Sequence, residues 1–570
     1  MLFRMNKSFF LSLFAFLYSA VLFAQMRPEP GIKVPVDIPV NLSGNFGELR
    51  PNHFHSGIDF KTQGVVGKNI INFDHGWLSR VVVSPWGYGN ALYVSHYSGL
   101  TTVYAHMLSF SPEITKVVED LQYKNERFDL DVSFDKDQIT LCKGEIIGLG
   151  GNTGSSGGPH LHFEIRDTKT EVALDPIPYF FDKIKDTTPP QFRLLRLYPL
   201  DSAVVNGGNK AVSATPLKNK LGEKQLNKRL EAWGKVAVGV KSYDKMDGAY
   251  NIYGVRNVKL YVDSLLHFET QIDSMAFDKT RYINSFIDYR DWAYNKAMVM
   301  RLLRDPGNEL SIYKTTTNDG VIIIDEERDY KCRIELTDVM GNRTIWPFVI
   351  EGKKSGLVEP LDDNVVKVME YDKDNLFQNE DITLKIDKNS LYKNLPFTYS
   401  NKEYSSGLSL LHSISDKGVP LHKYADLHIR LSEDRLENKN HYYLARINNK
   451  RAYYVAAIYD DGVMKARIRD FGDYVVMSDS IAPKIMPLSS TSWIKRGQIR
   501  YKITDNASGV SSYRGEIDGQ YALFAFDGKT ATLSYDLDNK RLKRNTKHIL
   551  KLTVTDSCGN ESIDQREFFW

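Results

Sequence analysis

The sequence predicts a mostly β protein, an antiparallel β-sheet domain followed by β-sandwich modules. Three observations carry this prediction. Aromatic residues are plentiful, with 32 Tyr and 28 Phe. Apolar residues seldom recur at helical spacing, and short aromatic or β-branched runs are bounded by Gly, Pro, Asn and Asp. At 570 residues the chain exceeds one core and should divide into about three or four domains. Lys plus Arg (74) exceeds Asp plus Glu (71) by only 3, so charge gives no reason to expect a nucleic acid or an anionic membrane as partner.

The first element, residues 1–24, reads as an export signal. Arg4 and Lys7 precede an apolar run from Phe9 to Phe23, and Ala24 is a fitting last residue before cleavage. The run is short for a membrane span, and no later stretch is long and apolar enough to cross a bilayer. The expected location is therefore the periplasm or cell envelope, or the exterior. Cys142, Cys332 and Cys558 lie far apart and suggest neither a disulfide framework nor a metal cluster.

Residues 25–185 form the second predicted unit. In Ser43-Gly-Asn-Phe-Gly-Glu-Leu-Arg-Pro-Asn-His-Phe-His-Ser-Gly-Ile-Asp-Phe60, His55 and Asp59 stand four apart. On a straight strand they would be about 13 Å apart at about 3.3 Å per residue, too far to share an ion. Gly57 between them lets the chain bend. His53 is expected on the surface. A β-meander follows, with strands at 77–83, 91–96 and 101–106. His106 ends the third and can project into a cleft, whereas His75 and His96 read as ordinary polar residues near turns. Next comes a segment over 109–141 that starts as a short helix at Ser111-Pro-Glu and then turns charged; it is expected as a wall or lid over a groove, or as a solvated excursion.

The glycine-rich turn Gly151-Asn-Thr-Gly-Ser-Ser-Gly-Gly then runs into Pro-His160-Leu-His162-Phe-Glu164-Ile-Arg166. Strand alternation puts Leu161, Phe163 and Ile165 on one face and His160, His162 and Glu164 on the other. Two histidines at i and i+2 beside a carboxylate suit a metal site, because neutral imidazole is the commonest protein metal ligand. Glu164 is a candidate for orienting an imidazole, or else a solvent-facing carboxylate.

The order His55-x-x-x-Asp59, Tyr104-Ala-His106, then the glycine turn and Gly-Pro-His160-Leu-His162-Phe-Glu164 resembles the lysostaphin-type (LytM-like) zinc metalloendopeptidases. The resemblance runs from about residue 44 to 178. It implies a β-sheet metallopeptidase domain that binds one zinc through His55, Asp59 and His162. His106 and His160 line the reaction centre, and the substrates are the peptides of peptidoglycan. All five positions are filled. Two imidazoles and one carboxylate leave a fourth tetrahedral position open, as a catalytic zinc requires. An inactive envelope adaptor, or an activator of other cell-wall hydrolases, is the competing expectation.

Beyond 185 the sequence predicts immunoglobulin-like β modules at 186–353 and 480–570, flanking a β-rich module at 354–479. Each immunoglobulin-like module opens at a junction, Lys185-Asp-Thr-Thr-Pro-Pro190 or Ser478-Asp-Ser-Ile-Ala-Pro483. Each also ends near an echoing phrase, Asp338-Val-Met-Gly-Asn342 or Asp556-Ser-Cys-Gly-Asn560. The polar stretch 206–230 is expected as an inserted loop or as partly disordered. His412, His422, His428 and His441 lack ligand spacing and are expected to be structural. The modules are expected to space the domain or to dock envelope proteins.

Overall fold

A computed structural model describes residues 31–356 and 364–570; the expected signal over 1–24 lies outside them. The chain is mostly β, about 49% strand and 8% helix. Among the described residues no helix is long and apolar enough to cross a membrane.

The N-terminal sheet orders its strands Leu42–Gly44, Ile58–Lys61, His160–Asp167, Leu100–Ala105, Ala91–His96, Gly76–Val83 and Leu130–Ser133. All these neighbours pair antiparallel. The alternation read in the sequence fixes its two faces. Leu161, Phe163 and Ile165 are fully buried among Phe60, Phe73 and Tyr104, with Phe163 edge-on to Phe60 and Tyr104. A smaller sheet of Asn69–Ile71, Ile146–Gly150 and Met107–Phe110 packs beside it.

The 109–141 segment is neither lid nor free excursion. Its helix spans Pro112–Lys124 with Ser111 as N-cap and Pro112 in the first turn, and it buries Ile114, Val118 and Gln122. Leu130–Ser133 then pairs with Gly76–Val83 as a further strand of the main sheet. Cross-strand backbone bonding thus anchors a stretch whose charged side chains stay largely exposed, as its composition suggested.

Residues 186–353 form a sheet ordered Gln191–Pro199, Leu230–Tyr243, Arg343–Gly352, Asp329–Thr337, Asn257–Val262 and Leu265–Gln271 along its main path. The expected loop over 206–230 is ordered instead. It forms a hairpin of Pro216–Lys218 with Lys224–Leu226, and Lys224 donates to the Ile345 carbonyl at 2.7 Å. Polar residues sit in this hairpin because only its backbone needs partners. The 364–479 region pairs a six-stranded with a five-stranded sheet over one core. Residues 480–570 form a sandwich of two four-stranded sheets, whose core joins Ile499, Tyr501 and Leu533 to Leu550, Leu552 and Val554.

The junction at 185 is not a break in packing. One apolar core runs from Val36 to Tyr392. Ala173–Leu174 pairs with His160–Asp167 on one side and with Ser274–Met275 of the next module on the other. The three cysteines are free; Cys142 is exposed, and Cys332 and Cys558 are buried.

Candidate metal centre

Register brings the first two groups together. His162 lies directly opposite Asp59 across the Ile58–Lys61 and His160–Asp167 pair. His55 arrives from the loop before that strand, which is held by the bonds Gly47 N–H to His55 O and His55 N–H to Glu48 O, both 2.9 Å. Gly57 is needed for a reason other than the bend expected of it. A Cβ there would stand 2.2 Å from the Phe163 carbonyl oxygen, so only a residue without a side chain lets the chain pass the strand.

The three groups meet through His55 Nε2, Asp59 Oδ1 and His162 Nδ1. His55 Nε2 is 2.9 Å from His162 Nδ1, and Asp59 Oδ1 is 3.1 and 2.9 Å from the two nitrogens. Their other ring nitrogens are engaged. His55 Nδ1–H donates to the Asn45 carbonyl at 2.7 Å, and His162 Nε2–H donates to Glu164 Oε1 at 2.8 Å. Each imidazole in its neutral form therefore turns a bare lone pair toward the carboxylate oxygen. Three acceptors converging at about 3 Å need a shared cation. Ligand atoms held tetrahedrally at about 2.0–2.1 Å from zinc would lie about 3.3 Å apart, so the donor set fits that ion in type and spacing.

The electrostatics agree. Burial pushes His55 down to about 4. Burial also opposes charge on His162, yet its hydrogen bonds to Asp59 and Glu164 raise it to about 9. Without a metal the cluster retains one proton, which a cation would displace.

Glu164 is fully buried, not solvent-facing. It accepts from His162, from Ser56 Oγ at 2.6 Å, from Arg166 Nε at 2.7 Å and from the Tyr88 hydroxyl. Burial opposes its charge, but Arg166 and His162 hold its carboxyl well below the usual range. Arg50 donates to Asp59 Oδ2 at 2.8 Å, leaving Oδ1 for the centre. Arg50, Ser56, Tyr88 and Arg166 were not singled out from the sequence. Strand parity alone could have found Arg166, two residues beyond Glu164; the others depend on tertiary placement.

His106 and His160 stand on the open side, ring centroids 4.8 Å apart. His106 has φ +61°, a left-handed conformation costly for a non-glycine residue, at the break between Leu100–Ala105 and Met107–Phe110. Its Nδ1–H donates to the Thr153 carbonyl at 2.9 Å, and burial pushes it down to about 3. His160 Nδ1–H donates to Gly158 O at 2.8 Å, and its Nε2 lies 3.5 Å from Asp59 Oδ1. The glycine-rich turn makes this possible by close approach. A Cβ on Gly151 would meet Leu108 N at 2.3 Å, and one on Gly89 would meet Thr153 Oγ1 at the same distance.

The remaining histidines lie elsewhere. His53 is exposed. His96 ends the strand Ala91–His96 just before a turn and is buried; it bonds Thr102 Oγ1 at 2.7 Å and packs on Phe73. In the 364–479 region His422 stacks on Tyr282 with centroids 4.0 Å apart, a structural contact.

An open groove of about 590 Å³ lies over the centre, lined by Arg50, Asp59, Lys61, His106, Ser156 and His160 among others, with none from 109–141. The last module rests on its rim. Lys529 reaches the carbonyls of Asn152 and Ser156, and Phe526 packs on Trp86. Arg541 lies 3.4 Å over Tyr123 at the end of the Pro112–Lys124 helix.

Among curated proteins, the chain is 36% identical over 80 residues to the DD-carboxypeptidase/endopeptidase Mpg of Neisseria meningitidis serogroup B, covering 14% of this chain and 13% of that protein. It is 32% identical over 118 residues to an uncharacterized metalloprotease of Haemophilus influenzae, covering 21% and 19%. The resemblance to lysostaphin-type peptidases is borne out. The chain spans about an eighth of the length of the first of these relatives, 13%. Residues 366–479 match the family model of a Zu5-like domain. Among solved structures, the catalytic domain of lysostaphin from Staphylococcus simulans is 24% identical, with 25% of this chain and 91% of that chain covered and a TM-score of 0.19. The catalytic domain of the M23 protein EnpA from Enterococcus faecalis is 22% identical, with 27% and 96% covered and the same TM-score.

Proposed function

We propose that this chain is a zinc-dependent metalloendopeptidase that hydrolyses peptide bonds in the stem or cross-link peptides of peptidoglycan, acting in the cell envelope after export. The observation that carries the reading is the convergence of bare His55 Nε2, His162 Nδ1 and Asp59 Oδ1 beneath two further histidines that face an open groove. His55, Asp59 and His162 would hold one zinc, which supplies Lewis acidity and brings the pKa of bound water to about 7.

The protein's own groups do the rest. His106 is uncharged at neutral pH, with Nδ1–H committed to Thr153, so Nε2 is free to take a proton from water. His160 Nδ1–H is likewise committed to Gly158, so its Nε2 can take up a proton and, once it carries one, donate to charge developing on the scissile carbonyl oxygen. Arg50 orients Asp59, and Glu164 fixes the tautomer of His162. The open groove suits an extended peptide.

The test uses the full chain after its signal, because the N-terminal sheet shares a core with the next module. Metal analysis should find one zinc at this centre, absent from His162→Ala. Purified peptidoglycan should yield new muropeptides by mass spectrometry with wild type only. Zinc-free protein, or identical profiles from the two, would sink the proposal.

A further inference from the structure

Outside the zinc centre, two clusters of carboxylates repeat one another in separate modules. Asp186, Asp244 and Asp338 bring one oxygen each within 4.8 Å of the others, and so do Asp479, Asp505 and Asp556. They correspond one for one. Asp186 and Asp479 belong to the two proline-containing junctions. Asp244 and Asp505 end or follow the strands Leu230–Tyr243 and Gln498–Thr504. Asp338 and Asp556 open the echoing Asp…Gly-Asn turns.

The hydrogen bonds correspond as well. Asn342 donates its backbone N–H to Asp338 Oδ1 and its side-chain amide to Asp338 Oδ2, both 2.8 Å, and that amide also reaches Asp186 O at 3.1 Å. Asn560 makes the same three bonds to Asp556 Oδ1, Asp556 Oδ2 and Asp479 O at 2.9, 2.8 and 3.0 Å. Gly341 and Gly559 precede these asparagines with φ of +92° and +82°. A scaffold built twice to hold three carboxylates together is not a chance surface cluster.

Three of the six carboxylates keep one oxygen unsatisfied. Asp244 is 1% exposed, and its Oδ1 has no hydrogen-bond partner; Asp186 Oδ2 and Asp505 Oδ1 are likewise buried without one. Among the described residues none of the six is within 4 Å of a basic side chain that would pair with it. Asp186, Asp244 and Asp338 are all buried, and in the second set Asp479 and Asp556 are buried and Asp505 partly so; such carboxylates cannot all ionise without a ligand of opposite sign. The donors are all oxygen, with no His or Cys, which selects a hard cation over zinc. Two oxygens bound at about 2.3–2.6 Å to one calcium lie at most about 5 Å apart, matching the observed cluster.

We infer that each of these two modules binds one calcium ion between its entry junction and its final turn, through Asp186, Asp244 and Asp338 in one and Asp479, Asp505 and Asp556 in the other. Each ion ties the incoming linker to the far end of its module. The first pins the junction behind the zinc centre; the second pins the module whose Lys529 rests on the groove rim.

Calcium chloride titrated into chelator-stripped full chain, followed by calorimetry and equilibrium dialysis, tests this. Two ions should bind per wild-type chain, one per chain in Asp244→Asn and in Asp505→Asn, and none in the double variant. Calcium should raise the wild-type unfolding midpoint, and that shift should vanish in the double variant. His162→Ala should keep both ions, which separates these sites from the zinc centre. The wild-type stoichiometry decides even where a variant fails to fold, because absence of calcium uptake overturns the proposal. Uptake unchanged in a folded double variant overturns it too. A single ion, lost in only one variant, overturns the assignment to the other module.

Discussion

At the scale of single residues, the centre depends on groups that never touch the metal position. Glu164 is the clearest. It accepts from His162 and is itself fixed by Ser56, Tyr88 and Arg166. Replacing it with Gln keeps the shape but removes the charge that sets the His162 tautomer. Glu164→Gln should weaken zinc affinity about 10–100-fold with the circular dichroism spectrum unchanged, and chelator competition measures this. Unaltered affinity would reduce Glu164 to a packing role. A second residue tests burial without touching the centre. Burial pushes the Asp175 carboxyl up to about 6, with the nearby Asp273 adding to it, against an Ile177 N–H bond and the charge of Arg256. The folded state thus keeps a proton that the unfolded chain releases near pH 4. Stability from this group is present below that pH and is lost as pH rises through about 6. Asp175→Asn should therefore stabilise the protein by about 1–3 kcal/mol at pH 8 and by almost nothing at pH 4, read from unfolding midpoints. A loss of stability at pH 8 would mean that the charged carboxylate is effectively paired with Arg256. At this scale the sequence was most legible where spacing constrains geometry. His160, His162 and Glu164 share a face because strand side chains alternate, whereas Arg50, on the short strand Leu49–Arg50, and Tyr88, in a turn, reach the centre along paths that no local pattern encodes.

At the scale of elements, glycines set the distances. The His55-to-Asp59 segment passes so close to the His160–Asp167 strand that Gly57 has no room for a Cβ, which would lie 2.2 Å from Phe163 O and 2.9 Å from the Glu164 side chain. Gly57→Ala should cost about 1–3 kcal/mol and separate His55 from His162. Thermal unfolding together with zinc stoichiometry would show it; wild-type values for both would mean that the strands can part without harm. The Pro112–Lys124 helix shows the limit of reading elements one at a time. Its start was visible in Ser111-Pro112, since that capping is local. Its destination was not. The helix packs its Ile114 and Val118 face inward and offers Tyr123 to Arg541 and Tyr521 of the last module, so it serves as a ledge for that module and does not enter the groove.

At the scale of the whole molecule, the modules are part of the centre's support. Asn45, whose carbonyl receives the His55 Nδ1–H, is clamped through its side chain to Gly254 of the next module at 2.9 and 2.8 Å. Tyr253 reaches Leu42 O at 2.8 Å, and Phe54 N–H donates to Thr280 Oγ1 at 2.9 Å. The loop that delivers His55 is therefore braced by residues some two hundred positions later in the chain. The sequence by itself determined the β class, the two faces of the His160–Asp167 strand, the five histidine and aspartate positions and the echo between the two Asp…Gly-Asn phrases. The class, the faces and the echo follow from periodicity or from spacing along one stretch, and the five positions follow from the resemblance to lysostaphin-type peptidases. Only the tertiary structure decided that Asp59 faces His162, that Glu164 is buried and that the core crosses residue 185. It also decided that the echoed phrases close around shared carboxylate clusters. Those facts rest on contacts between distant segments, where register and burial set the distances and local sequence does not.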